Sequence, residues 1–129
     1  MRLVARRVTQ AQLGRLESAV AALATGEQQP PAAELADAAR TACALLAVRY
    51  PGGFVELRVP PYAAVQLGIG DRGRHTRGTP PNVVQTDAVT LLRLAGGLLA
   101  WEDALAGHLV QASGIHSDLS ELWPLRELS

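Results

Sequence analysis

The chain contains no lysine. Its twelve basic residues are all arginine, and twelve Asp and Glu cancel them. A chain without basic surplus is poorly equipped to neutralise phosphate, which argues against nucleic acid as its main partner. There is a single cysteine, Cys43, so no disulfide can form within the chain and nothing points to an oxidising compartment. Cys43 lies in the apolar run "ARTACALLAV", where a thiol behaves as a small core residue. No apolar run approaches the roughly 20 residues of a membrane span. "MRLVARRVTQ" begins basic, but neither a long apolar stretch nor a small-residue cleavage site follows, so it does not read as a signal peptide and the expected location is the cytoplasm. Internal repeats and low-complexity tracts are absent as well. What remains is a 129-residue chain suited to one domain, 1–129, able to bury roughly two-thirds of its unfolded surface without metal or disulfide.

Hydrophobic spacing divides this domain into a helical part, 1–50, and a mixed part, 54–125. In the first, Leu13, Leu16, Val20 and Leu23 keep helical period, Thr9 and Gln12 have capping-box spacing, and Gly26 stops the run. A second helix follows "EQQPP", with Leu35, Ala38, Ala42, Leu45 and Leu46 on one face, and ends at Pro51 and two glycines. The two should form an antiparallel hairpin. At residue 54 the period becomes two. "FVELRV" sets Val55, Leu57 and Val59 on one face and Phe54, Glu56 and Arg58 on the other. A turn at Pro60 and Pro61 leads to a second strand, "YAAVQLG". "NVVQT" reads as a short strand. Thr86 or Asp87 then caps a helix through "AVTLLRLA", and "WEDALAG" supplies one or two more turns. "LVQASG" is a strand, and "SDLSELWPL" a last helix capped by Ser117. Helices first, then strands and helices mixed, make an α+β layer arrangement.

One segment does not fit a core or a linker. "GIGDRGRHTRGTPP", 68–81, concentrates Arg72, Arg74, His75 and Arg77 among glycines and prolines. Guanidinium groups there could grip a carboxylate or phosphate bidentately, with Thr76, Thr79 and Asn82 adding neutral hydrogen bonds. Equally, the segment could be a loop that fixes its own shape, with Arg77 paired to Glu56 or another carboxylate. His75, His108 and His116 are the only histidines, and their spacing suits no metal. No nucleophile elbow is present, and "GIGDRG" precedes no helix, so neither acyl transfer nor a phosphate cradle is supported. The sequence thus supplies no catalytic residue, metal ligand or cofactor motif.

The stretch "DAVTLLRLAGGLLAWEDALAGHLVQASG", with Asp87, Leu91, Leu94, Gly97, Ala104, Gly107 and Gly114 in register, resembles the C-terminal half of a sterol carrier protein-like domain. "VPPYAAVQ" and "HTRGTPPNVVQTD" resemble small bacterial members of that family from actinobacteria, akin to the C-terminal domain of mycothiol-dependent maleylpyruvate isomerases. The resemblance covers 54–125. It departs at Ala100, where Ser or Thr is usual before the Trp, and at Gln85, where Glu is common. The zinc of the isomerase relatives belongs to a separate helical domain, and no His occurs in the first fifty residues here, so that activity does not carry over.

The resemblance implies a sheet with helices against one face and an apolar cavity between them, holding a lipid-like ligand without a cofactor. The expected cavity walls are Val55, Leu57, Val65, Leu67, Leu91, Leu92 and Leu94. Its ligand-binding residues are expected to be His75, Arg77, Thr79, Asn82, Arg58, Tyr62, Leu91 and Leu94. Phe54, Tyr62 and Arg58 could line the entrance or merely cover the sheet's second face. The alternative is an interaction module without ligand, homodimeric through the hairpin or an exposed sheet edge.

Overall fold

The computed structural model describes residues 7–26, 28–69 and 82–128. It contains α1 (Gln10–Thr25), α2 (Ala32–Arg49), β1 (Val55–Val59), β2 (Ala63–Leu67), β3 (Asn82–Thr86), α3 (Ala88–Ala95), α4 (Trp101–Ala106) and β4 (Val110–Ser113), then two short 3₁₀ turns, Ser120–Leu122 and Arg126–Leu128. The helix boundaries follow from local chemistry. Thr9 accepts from the Gln12 amide at 3.1 Å while the Gln12 side chain accepts from the Thr9 amide at 2.8 Å, a reciprocal cap on α1. Gly26 ends α1 at φ 71°, a conformation that costs glycine least. Asp87 rather than Thr86 caps α3, accepting from both the amide and the hydroxyl of Thr90 at 2.8 and 2.9 Å.

The strands form one mixed sheet in the order β2-β1-β3-β4. β1 pairs antiparallel with β2 and parallel with β3, and β3 pairs antiparallel with β4. The registers put Val55, Leu57, Val59, Asn82, Val84 and Thr86 on one face, and every one of them is buried. α2 packs on the sheet at β2, α3 packs on α2, and α1 packs on both of these helices. Leu16, Leu46, Leu57, Leu91, Leu92 and Leu94 meet in the layer between, each no more than 1% exposed. The opposite face carries Glu56, Arg58, Gln66, Gln85, Gln111 and Ser113, none of them buried. Hydrophobic-in, polar-out alternation fits an antiparallel-rich sheet covered on one side.

The C-terminal segment differs from the expected helix. Ser117 donates its hydroxyl to the Gly114 carbonyl at 2.9 Å instead of capping, and only a single 3₁₀ turn forms at Ser120–Leu122. Pro124 disfavours helical geometry at Trp123, leaving too few residues to nucleate an α-helix. The segment is held by burial of Leu119, Leu122 and Leu125, and by the Leu125 amide donating to the Ala95 carbonyl at 2.9 Å. Among the described residues no helix is long and apolar enough to cross a membrane.

Candidate functional site

β2 ends at Leu67 and β3 begins at Asn82, and both residues lie beside Val55 at the start of β1. The chain therefore leaves and re-enters the described residues at one end of the sheet. That end is built from three distant stretches of sequence. Asn82, 2% exposed, donates from Nδ2 to the Phe54 carbonyl at 3.2 Å and accepts at Oδ1 from the His116 amide at 3.0 Å. The His116 ring then sits tilted against the Phe54 ring, centroids 5.1 Å apart. Two backbone hydrogen bonds fix the base of this corner: the Phe54 amide donates to the Leu67 carbonyl and the Gly68 amide to the Tyr50 carbonyl.

Those expected ligand residues that the structure describes do not gather at one place. His75, Arg77 and Thr79 lie outside the described residues. Asn82 is a strut in the corner just described. Tyr62 follows β1 at the opposite end of the sheet, about 13 Å away by strand rise. Its amide donates to Val59 at 2.8 Å, and its carbonyl accepts from Arg40 at 3.3 Å. Arg58 is on the face away from the helices, where it donates to Glu56 at 2.9 Å. Leu91 and Leu94 are sealed in the layer on the other side, at 0% and 1% exposure. Glu56, the carboxylate suggested for Arg77, is thus held by Arg58, two residues along its own strand.

His116 and Phe54 are the corner residues that sequence reasoning did not assemble. Phe54 was visible as an entrance residue, but His116 is brought beside it only through the pairing of β4 with β3. No local sequence pattern encodes a contact across 62 positions.

Two concavities stand out among the described residues. One is an open groove of about 1080 Å³ along the outer face of the α1–α2 hairpin, lined by small residues such as Gly14, Ser18 and Ala22, with the Arg15–Asp37 ion pair at its side. The other, about 260 Å³, lies over Val83, Gln85 and Gln111 on the helix-free face. Neither touches the seven expected wall residues, six of which are buried and the seventh, Val65, packed against the core. Among the described residues no three His, Cys, Asp or Glu side chains come together to hold a metal ion. Burial pushes the Cys43 thiol up to about 12, so it is a poor nucleophile where it stands.

The family model described as "Bacterial SCP ortholog" matches residues 31–125, which takes in α2 as well as the whole sheet. No curated protein matches the chain. The chain belongs to this bacterial SCP family.

Proposed function

We propose that this bacterial SCP-family protein binds a small apolar or amphipathic molecule and performs no chemistry on it. Family membership supports the reading, since SCP-like domains are carriers of lipid-like ligands. The structural observation that carries it is the aliphatic layer of Leu57, Leu91, Leu92 and Leu94 under the sheet, with a chain segment bearing Arg72, Arg74, His75 and Arg77 joined to one end of that sheet. An acyl chain needs the first and its carboxylate the second. Because the layer is filled, the ligand enters by parting α3 from the strands, and the affinity is reduced by the free energy of that opening. Eight methylenes at about 0.8 kcal/mol each contribute about 6 kcal/mol. A charge-assisted hydrogen bond adds about 2 kcal/mol, against the cost of immobilising the ligand. Arg77 and His75 are the proposed polar end.

Calorimetry with decanoic acid and decanol, on wild type and Arg77→Ala, tests this. Wild type should prefer the acid, and the variant should lose that preference while keeping its circular dichroism spectrum. If wild type binds neither compound, the carrier reading fails and a ligand-free interaction module takes its place. If Arg77→Ala unfolds, Arg77 is a structural clamp and not the polar end of a site.

A further inference from the structure

β4 is the terminal strand of the sheet, so one row of its backbone N–H and C=O groups has no neighbouring strand among the described residues. Proteins normally blunt such an edge with Lys, Pro, an inward charge or a covering element, because it is a template for another strand. The opposite edge is treated in this way: Pro60 and Pro61 precede β2, α2 packs along it, and Arg40 caps the Tyr62 carbonyl. Among the described residues β4 has no Lys, Pro or inward charge, and of the helices α4 touches it. The strand lies within residues 104–117, the longest stretch of the chain without Asp, Glu or Arg. Val110 is buried at the start of the strand, but the cover does not reach Ala112. Ala112 is exposed although Val84, directly opposite in β3, is 1% exposed. Two large apolar side chains stand in solvent at the ends of the strand, Leu109 at 43% and Ile115 at 90% exposure.

We infer that β4 pairs antiparallel with β4 of a second copy of this chain, about a two-fold axis at Ala112. The axis sets Ala112 opposite Ala112 of the partner subunit and Gln111 opposite Ser113 of the partner subunit, joining the two sheets into one. Antiparallel pairing also brings Leu109, at the start of one strand, to the end occupied by Ile115 of the partner subunit. These two exposed apolar groups thereby cover each other. A two-fold places each side chain near its own symmetry mate, so any charge would face its like; a neutral strand avoids this, and the Gln amide both donates and accepts. Four paired residues a side form a small interface, of the kind that gives a reversible dimer. The pairing is independent of whether a ligand is bound.

Sedimentation equilibrium of the full chain, from micromolar to millimolar, tests it. Wild type should show a monomer–dimer equilibrium. Ala112→Lys and Ile115→Asp alter exposed positions, so both variants should stay folded, and each should raise the dimer Kd about tenfold or more. Val48→Asp, which changes an apolar residue 54% exposed on α2, should leave the Kd unchanged. Wild type that remains monomeric throughout overturns the inference. So does a dimer that resists both β4 substitutions, or one that Val48→Asp weakens as strongly.

Discussion

Asn82→Asp changes one buried atom from a donor to an acceptor and tests the sheet corner directly. Asn82 is 2% exposed, with Nδ2 on the Phe54 carbonyl and Oδ1 on the His116 amide. The substitution keeps the second bond and the shape but turns an oxygen toward the Phe54 carbonyl. Near neutral pH it also buries a charge with no cation given by the described geometry, at a cost of about 3 kcal/mol. That cost corresponds to a folded-state pKa for the introduced carboxyl about two units above its unfolded value of about 3.9. The sign follows from linkage. Between about pH 4 and pH 6 the folded state holds this proton more tightly than the unfolded state, so stability falls as pH rises through that window. Below about pH 4 both states are protonated, the new O–H can donate to Phe54, and the penalty disappears. Asn82→Ala serves as the control. It loses two neutral hydrogen bonds worth about 0.5–1.5 kcal/mol each, so it should cost about 1–3 kcal/mol with little dependence on pH.

Urea denaturation of the three proteins at about pH 4 and about pH 8 measures these differences. The gap between wild type and Asn82→Asp should shrink from about 3 kcal/mol to under about 1 kcal/mol on acidification, while the Asn82→Ala gap holds. A pH-independent Asn82→Asp penalty, or an Asn82→Ala protein as stable as wild type, would show that Asn82 does not bind this corner together.

Gly68→Ala should destabilise the domain by about 3 kcal/mol, lowering Tm by roughly 10 °C, because an added Cβ runs into the backbone carbonyl of Pro51 and neither segment can yield while the Gly68 amide is bonded to Tyr50; an unchanged melting curve would refute that close approach. Cys43, with its thiol pushed up to about 12 by burial, should resist aromatic disulfide reagents in the native state near pH 8 and react at once in urea. The raised pKa further means that stability falls as pH climbs from about 9 toward 12, since the unfolded state ionises first; rapid native labelling would contradict its burial.

Much of the architecture was legible along the chain because its causes are local. The Thr9–Gln12 box, the Gly26 stop and the Asp87 cap each depend on atoms within four residues of one another. Alternation in 54–59 decided which of Val55 and Glu56 faces inward before any partner strand was known, and the family resemblance rested on similarly local strings. The C-terminal segment departs from the expected helix for a reason of the same kind: Ser117 bonds back to Gly114, and Pro124 closes the run too soon.

The site was much less legible, because register and face are properties of the whole sheet. Arg58 and Leu91 both suit an amphipathic ligand, yet the pleat directs one away from the helices and α3 seals the other beneath them. Tyr62 and Asn82 are separated because β1 lies between them end to end. The sequence by itself determined where elements start, stop and turn an apolar face, since those choices are settled by hydrogen bonds and side-chain periods within a few residues. Only tertiary structure decided that Asn82 binds Phe54 to His116 and that β4 is the terminal strand of the sheet among the described residues, since both depend on which strands pair.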